Sequence, residues 1–368
     1  MRSYSVDVGD RLTIGFLTRW NATCGVSLHA ELLGRELLQR GHQIRVFAPT
    51  VESADRWWHH RIIQPDEDFV IRCYEEAEPG AVLRGGSVDA EWILSSDFDV
   101  FVVESYISIP YEAVSRILPK IRARVPTVLV VHEGAAEDLR FDQELFDAVV
   151  VFDRRYIGEV VEYTERVRII PYPCCPVHRE ERPRPPELQG RMLFFSFGRQ
   201  PVREYTDFLG VLERLSSRYD LLYWIVRSNG LVPVKKRWIV QWAERLSLDK
   251  LYEYLWIADV HLLPKGATRK VVVSSTVAQT LGALTPTVAP ATRHFEAFPA
   301  YDGVKPVLTY RNQEELEQLL VRLVEDREFR QQVVRAAERY VQENSVEVVA
   351  DAFLKLFDEL LSARQIAT

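Results

Sequence analysis

The sequence predicts an α/β protein that is built from two doubly wound halves. Each half alternates short apolar strands with amphipathic helices, and a segment rich in proline and charge separates the halves at residues 175–190. A chain of 368 residues is also too long for one comfortable core. Because such sheets bind ligands beyond the carboxyl ends of their strands, we expect a cleft between the carboxyl ends of two sheets.

The composition is that of a globular protein, with 47% hydrophobic and 27% charged residues. The formal net charge of −7 argues against a surface that binds nucleic acid. No apolar run approaches the roughly 18 residues that a membrane helix needs. The first residues, MRSYSVDVGD, lack the apolar core of a signal peptide. We therefore expect a cytoplasmic protein.

The first half opens with a βαβ unit. Residues 11–20 predict a buried strand, residues 26–41 repeat apolar side chains at helical spacing, and residues 42–49 predict a second strand. Residues 51–95 are harder to assign to helices or strands and suggest a long insertion between two strands. Further strands are predicted at 99–105, 127–134, 147–153 and 167–173, and helices at 111–124 and 154–165.

The second half repeats this alternation after the linker. Its predicted strands lie at 191–198, 220–227, 260–264, 286–290 and 304–310. Its predicted helices lie at 203–217 and 248–259, in the apolar stretch from about Ser274 to the residue before Gly282, and within 312–345. Residues 345–365 give a final amphipathic helix.

Two common ligand motifs are missing or misplaced. The first β-to-α turn, residues 18–25, lacks Gly-x-Gly-x-x-Gly, and the second strand ends without an acidic ribose ligand, which argues against a dinucleotide. Asp97 and Asp99 match the Asp-x-Asp metal pattern in letters, but they precede a strand, at the edge opposite the carboxyl ends. The four cysteines match no zinc pattern. We expect neither a metal nor a cofactor.

His132 is a well-placed candidate in the first half. It follows the apolar strand TVLVV, residues 127–131, and precedes Glu133 and Gly134. The carboxyl end of a strand is where open α/β sheets bind ligands. A histidine there can also simply hydrogen-bond its loop, but we favour a role in the site.

The segment FSFGRQPVREYTDF gives the strongest local signal. A predicted strand ends at Gly198, Arg199 follows, and Arg203 comes four residues later as a helix begins. Two guanidinium groups beside a helix N-terminus suit a diphosphate. The alternative is a pair of surface arginines.

A second basic segment precedes a cluster of hydroxyl residues. The basic residues are Lys265, Arg269 and Lys270, and the hydroxyl residues are Ser274, Ser275 and Thr276. A basic loop that opens onto a helix N-terminus again suits phosphate. Serine and threonine are also ordinary helix caps, so this segment depends on its pairing with the first one.

With these motifs in place, the chain resembles the nucleotide-sugar glycosyltransferases of the GT-B fold and is most similar to the retaining family 4. The likeness runs from Leu12 to about Ala363 in degraded form. It implies two Rossmann-like domains that face a central cleft, with a C-terminal helix returning to the first domain. The implied domains are 1–178 with 346–368 for the acceptor and 190–345 for the nucleotide-sugar donor.

Several short motifs carry the resemblance. The family's glycine loop resembles Cys24-Gly25-Val26, and its first-domain histidine corresponds to His132. Its Gly-Arg phosphate signature resembles Gly198-Arg199, with Arg203 as an approximate match further along. Its donor-side glycine turn resembles residues 224–230. One motif departs from the family, which has two glutamates separated by seven residues. The second, which binds the donor ribose, is Gln279 here, and the first, which lies by the donor sugar and phosphates, is Val271. Glutamine can still hydrogen-bond a ribose hydroxyl, but the side chain of valine has no group that can form a hydrogen bond.

The resemblance and the basic segments together give a set of candidate site residues. His132 is the expected catalytic residue, facing the donor sugar. The expected donor-binding residues are Gly25, Gly198, Arg199, Arg203, Ser228, Lys265, Arg269, Lys270, Ser274, Ser275, Thr276 and Gln279.

The implied function is that of a hexosyltransferase that uses a nucleotide-diphosphate sugar, retains configuration and needs no metal. A non-catalytic binding or regulatory subunit of the same fold and a nucleotide-sugar 2-epimerase are the alternatives. The acceptor is open among sugars, lipids and small molecules. Residues 56–63, RWWHHRII, fit stacking on a sugar, a peripheral membrane contact or an ordinary hydrophobic corner.

Overall fold

The computed structural model describes residues 11–57, 60–78 and 85–367. The chain divides into two compact units. The first consists of Met1–Pro173, Lys270–Ser275 and Val346–Thr368, and the second of Cys174–Arg269 and Thr276–Ser345. The segment MRSYSVDVGD and, within RWWHHRII, Trp58 and His59 lie outside the described residues.

The first unit is built on a largely parallel sheet. Its strands are β1 (Thr13–Leu17), β2 (Gln43–Pro49), β3 (Val70–Glu75), β4 (Ser87–Val88), β5 (Val100–Ser105), β6 (Thr127–Val131), β7 (Ala148–Val151) and β8 (Val167–Ile169). The order is β4-β3-β2-β1-β5-β6-β7-β8, and β3 and β4 form the antiparallel pair. Every residue of β5 and β6 is buried, as expected for parallel strands covered on both faces.

Helices connect these strands. They are α1 (Gly25–Gln39), α2 (Val51–Asp55), α3 (Ala90–Leu94), α4 (Tyr111–Arg122) and the short turn α5 (Tyr156–Glu159). Helix α1 buries Ala30, Leu33 and Leu37, which lie three or four residues apart on one face. The chain then turns at Gly41, whose φ of 88° is readily adopted only by glycine.

The helix predicted at residues 154–165 is wrong. Only the short segment Tyr156–Glu159 is helical, and inside it Ile157 has ψ 119° and Gly158 has φ 90°. A positive φ breaks the α-helical path, and glycine adopts it without a steric penalty. The chain instead curls back so that Ile157 forms an isolated bridge with Val161.

The second unit is built on a fully parallel sheet. Its strands are β9 (Met192–Gly198), β10 (Leu221–Arg227), β11 (Ile239–Ala243), β12 (Val260–Leu262), β13 (Thr287–Pro290) and β14 (Val307–Tyr310), in the order β11-β10-β9-β12-β13-β14. Its helices are α6 (Thr206–Leu215), α7 (Leu248–Ile257), α8 (Ser275–Thr280), α9 (Gln313–Glu325) and α10 (Arg327–Glu343). Sequence reasoning did not find β11, an edge strand with no fully buried residue.

The last helix, α11 (Val346–Ala367), belongs to the first unit and packs on α1. Arg40, just after α1, forms an ion pair with Asp351 and donates to the carbonyl of Glu347 at 2.8 Å. Arg364 donates to Asp147 at 3.1 Å. The two α/β domains with a returning C-terminal helix, predicted from the resemblance, are therefore confirmed. No helix in the described part of the chain is both long and apolar enough to cross a membrane.

The segment Lys270–Ser275 also belongs to the first unit, although the predicted bounds place it in the second domain. The amide of Val271 donates to the carbonyl of Gly134 at 2.9 Å, and Arg155 Nη2 donates to the carbonyl of Val272 at 3.0 Å. A Cβ on Gly134 would lie 2.1 Å from the Val271 oxygen, so this crossing requires glycine.

A buried ion pair ties the end of β1 to the segments that follow β3 and β5. Arg19 and Glu76 are 2% and 1% exposed. Arg19 donates to the two oxygens of Glu76 at 2.5 and 2.8 Å and to Ser108 Oγ at 2.7 Å. Its guanidinium also lies 4.4 Å from the centroid of the Tyr106 ring. The buried charges are therefore matched by hydrogen bonds on both sides.

Glu76→Ala should strongly destabilise the first unit, because it leaves the buried Arg19 charge without its partner. The expected loss is about 3–5 kcal/mol of unfolding free energy, measured by urea denaturation. Glu112→Ala, which removes the exposed partner of Arg116 on α4, serves as the control and should cost less than about 1 kcal/mol. Equal losses in the two variants would contradict this account of the pair.

Candidate functional site

A cluster of two histidines and a glutamate lies beneath the carboxyl edge of the first sheet. His29 comes from α1, Glu104 from β5, and His132 directly follows β6. His29 Nδ1 lies 2.8 Å from Glu104 Oε1, and His132 Nε2 lies 2.5 Å from Glu104 Oε2. The side chains of His29 and Glu104 are fully buried, and that of His132 is 8% exposed.

The two imidazoles keep Glu104 ionised. Burial alone would raise the pKa of this carboxyl, but His29 and His132 lower it to about 2. An ionised carboxylate only accepts hydrogen bonds, so each imidazole donates through the nitrogen that faces it. Burial lowers the pKa of His132, although Glu104 opposes this. When neutral, His132 therefore carries its proton on Nε2 and has an acceptor at Nδ1.

The ligand atoms of His29, Glu104 and His132 lie within 4.8 Å of one another, close enough to consider a metal ion. Both carboxylate oxygens already accept a hydrogen bond from an imidazole. We therefore interpret the cluster as a hydrogen-bonded network that orients His132. Sequence reasoning found His132 but missed its two partners. Their signal was a histidine in the apolar stripe of α1 and a glutamate in the apolar strand VFVVES.

Glu133, the neighbour of His132, is a buried carboxyl with one unused oxygen. Ser105 Oγ donates to Glu133 Oε1 at 2.5 Å, and Oε2 has no hydrogen-bond partner. Burial raises the pKa of Glu133 to about 7, against the hydroxyl of Ser105 and the nearby backbone amides. The residue is 6% exposed. Sequence reasoning noted it only as part of the motif His-Glu-Gly.

In the second unit, the predicted phosphate residues lie at the carboxyl ends of neighbouring strands. Gly198 ends β9 with φ 124°, and its carbonyl accepts from the amide of Ser228, which follows β10, at 2.9 Å. Asn229 Nδ2 donates to the carbonyl of Arg199 at 2.9 Å. A Cβ on Gly198 would lie 2.5 Å from Gln200 Oε1, a flexible side-chain end that could move, so it is the positive φ that favours glycine at this turn.

Two positively charged residues lie close together at the carboxyl edge of the second sheet. Lys265, which follows β12, lies close enough to Arg199 for the two charges to interact. Burial lowers the pKa of Lys265, and Arg199 lowers it further, while Glu204 opposes both. The pKa of Glu204 is raised by burial, against the nearby Lys265 and Arg203. Two like charges beside each other favour an anion in their neighbourhood.

Arg203 lies on a short 3-10 turn, Val202–Tyr205, that precedes α6. Arg203 is exposed, whereas Arg199 is half-buried. The sequence predicted that Arg203 begins the helix itself. The structure inserts one tight turn, so the first helical residue is Thr206.

The second basic segment is divided between the two units. Lys270 pairs with Asp138 at 2.5 Å within the first unit, whereas Arg269 is exposed and belongs to the second. Ser274 is 7% exposed and precedes α8, and Ser275 and Thr276 begin it. This helix is six residues long, so it is a weaker source of positive potential than the predicted apolar helix.

The two remaining candidates lie on different helices. In the first unit, Gly25 begins α1, and its carbonyl accepts from Tyr172 Oη at 2.6 Å. A Cβ on Gly25 would lie 3.4 Å from the side chain of Ser275. In the second unit, Gln279 is half-buried on α8, and its carbonyl accepts from Tyr252 Oη at 2.7 Å.

Solved structures share this architecture over nearly the whole chain, although no family model matches it. A glycosyltransferase from Rickettsia africae superposes with a TM-score of 0.64 at 13% identity, over 96% of this chain and 99% of that one. Sucrose-phosphate synthase from Thermosynechococcus elongatus gives 0.62 at 13% identity, over 96% and 100%. Anabaena HepE in complex with UDP gives 0.62 at 12% identity, over 95% and 100%.

The chain has the GT-B fold. This confirms the fold class that the sequence predicted, because two parallel-sheet α/β domains and near-complete coverage recur in each comparison. In this GT-B chain the candidate residues fall into two groups. One surrounds His132 in the first unit, and the other follows β9, β10 and β12 in the second.

Glu133→Gln should change how stability depends on pH. The folded-state pKa of about 7 exceeds the ordinary value of 4.5, so the folded protein holds a proton across this window that the unfolded chain has released. Rising pH therefore costs the wild type stability between these values. Relative to the variant, its unfolding free energy should fall by about 1–3 kcal/mol between pH 4.5 and 8 in urea titrations.

Glu137→Gln is the matched control, since Glu137 lies on the same loop but is exposed. Its pH dependence should follow the wild type. If Glu133→Gln also follows the wild type across the whole window, Glu133 is ionised in the folded protein.

Proposed function

We propose that the protein transfers a sugar from a nucleotide-diphosphate sugar to an acceptor hydroxyl. The observation that carries this proposal is the positive edge of the second sheet, where Arg199 and Lys265 follow the neighbouring strands β9 and β12. The GT-B fold supports it, and HepE, one of the proteins that shares this fold, is known in complex with UDP. Parallel sheets bind ligands at this edge.

The chemistry needs positive charge where a leaving group gains negative charge. In the transfer, the bond between the anomeric carbon and the diphosphate oxygen breaks while the acceptor oxygen bonds to that carbon, and the proton of the acceptor hydroxyl passes to the departing diphosphate. Arg199, Arg203 and Lys265 would hold the departing diphosphate, and their attraction grows as its charge develops. Burial lowers the pKa of Lys265, and the negative charge of a bound diphosphate would stabilise its protonated form.

The other candidates contribute to donor binding in this proposal. Gln279 would bond a ribose hydroxyl as a neutral partner, and His132, oriented by Glu104, would face the donor sugar. The remaining proposed donor contacts are Gly25, Ser228, Arg269, Lys270, Ser274, Ser275 and Thr276. The acceptor stays open among sugars, lipids and small molecules, and a cytoplasmic location stays an expectation of the sequence.

We further propose that the reaction needs no metal or cofactor and retains the configuration of the sugar. Metal independence follows if the arginines and Lys265 supply the charge that a divalent cation would otherwise provide. Retention rests on the resemblance to family 4 alone.

Val271 favours one second candidate, a non-catalytic binding subunit. It occupies the position of the family's first glutamate, but it is apolar and 1% exposed, and its amide is bound to the carbonyl of Gly134. Measured turnover of any nucleotide sugar would exclude this reading. Tight binding of a nucleotide sugar without turnover would support it.

Arg199→Ala should weaken the binding of a nucleoside diphosphate by about 1.5–3 kcal/mol, because a charge-assisted hydrogen bond to phosphate is lost. Calorimetry with UDP, GDP and ADP measures this. Arg218→Ala is the control, since Arg218 is 55% exposed and lies after α6, before β10 begins. Unchanged affinity in a folded Arg199→Ala protein would remove the main support for the phosphate site.

Metal independence predicts full activity in EDTA. Release of nucleoside diphosphate from UDP-, GDP- and ADP-sugars should proceed at the same rate with and without the chelator. Activity that EDTA abolishes and manganese restores would show that a cation, and not the arginines, carries the diphosphate charge.

A further inference from the structure

A group of three arginines and one aspartate lies at the amino edge of the second sheet, within the second unit. Asp259 directly precedes β12, and Arg330 belongs to the first turn of α10. Arg179 and Arg184 come from the linker before β9. The diphosphate site proposed above follows β9 and β12, so it lies at the opposite edge of the same parallel sheet.

The single carboxylate of this group is already occupied. Asp259 Oδ2 accepts from the amide of Leu193 at 2.8 Å, and Oδ1 pairs with Arg184 Nη2 at 2.7 Å. Arg184 also donates to the carbonyls of Arg191 and Ile257 at 2.9 and 3.0 Å. Asp259 and Arg184 therefore fasten the linker to the start of β9 and to the end of α7.

Arg330 is left with only a distant partner. Its Nη2 lies 3.9 Å from Asp259 Oδ1, which is an ion pair but is too long for a hydrogen bond. Its guanidinium makes no hydrogen bond to another described residue, although the side chain is only 28% exposed. A guanidinium has five N–H donors, and withdrawing them from water without partners is costly. The exposed part of the side chain leaves these donors within reach of a ligand from solvent.

The charges of the group do not cancel. Arg179 and Arg184 lie close enough to Arg330 for their charges to act on it. Burial lowers the pKa of Arg330, and the two other arginines lower it further, although Asp259 opposes them. Arginine keeps its proton in proteins, so three positive charges surround one negative charge. This excess matches a phosphate group, which carries about two negative charges at neutral pH.

We propose that Arg330, Arg179 and Arg184 bind a phosphate group at this edge of the second sheet. The planar fork of a guanidinium donates two parallel N–H bonds to phosphate, and Arg330 has its donors unused. Arg179 is exposed and makes one long hydrogen bond, 3.4 Å to the carbonyl of Leu284. Arg184 adds charge from a fixed position. Inorganic phosphate and the phosphate of a sugar phosphate share this chemistry, and neither depends on the proposed function.

The test measures the binding of inorganic phosphate by calorimetry to the full chain that carries Arg199→Ala. This substitution weakens the proposed diphosphate site, so the heat signal reports the other edge of the sheet. Arg330→Met is then added, because methionine keeps an unbranched apolar side chain but removes the charge and the donors. We expect the double variant to bind phosphate at least about tenfold more weakly than its Arg199→Ala parent.

A second variant and a matched control accompany this comparison. Arg179→Gln changes an exposed residue, so folding should tolerate it, and we expect phosphate affinity to fall about three- to tenfold. Arg335→Met changes an exposed arginine further along α10 and should bind phosphate as the parent does.

Thermal unfolding separates phosphate binding from a purely structural role of Arg330. Phosphate should raise the unfolding midpoint of the parent and of the Arg335→Met control, relative to chloride at the same ionic strength. It should not raise that of Arg330→Met. The rise is the readout, because a purely structural arginine would change only the midpoint in chloride.

The source of the phosphate follows from a comparison of inorganic phosphate with glucose 6-phosphate, with glucose as the blank. Tighter binding of glucose 6-phosphate by the parent identifies a sugar phosphate, and equal or weaker binding identifies free phosphate. The proposal is overturned if the parent binds neither probe below about 10 mM, or if Arg330→Met and Arg179→Gln both bind phosphate as the parent does. The proposed function is unaffected by either result.

Discussion

The hydrogen bonds from His29 and His132 to Glu104 are the interaction on which the first unit's candidate site depends. Glu104 lies in a fully buried strand, where an unpaired carboxylate would be prohibitively costly. Its two imidazole partners come from α1 and from the loop after β6, so one charge fixes three elements at once. Because the ring of Phe353 on α11 packs against the ring of His29, the C-terminal helix also supports this network. The orientation of His132 is thus set by the core and not by its own loop.

The two units handle buried charge in different ways. Among the described residues of the first unit, the buried charged groups Arg19, Glu76 and Glu104 are hydrogen-bonded to partners, whereas Glu133 has one carboxylate oxygen without a partner. In the second, the charges of Arg199 and Lys265 lie near each other after β9 and β12, and Glu204 lies near Lys265. An anionic ligand that bound at this edge would stabilise the folded protein.

The alternation of strands and helices was readable from the sequence because hydrophobic periodicity and glycine turns are local signals. The strand TVLVV, the turn at Gly198 and the end of α1 near Gly41 were found in this way. Contacts between distant parts of the chain leave no such signal. The partners of His132 lie far from it in sequence, and the docking of Lys270–Ser275 on the first unit depends on a backbone crossing at Gly134. The apolar spacing of residues 154–165 predicted a helix, but the positive φ at Gly158 interrupts the helical path.

The division of the first unit into three stretches of chain has a consequence for its biosynthesis. A ribosome releases Met1–Pro173 first, then the second unit interrupted by Lys270–Ser275, and α11 after it. Until α11 emerges, the face of α1 that it covers, together with the neighbourhood of His29, is exposed to water. The first unit to be translated is therefore the last to be completed, and the nascent protein carries an unfinished apolar surface while its second unit is already able to fold.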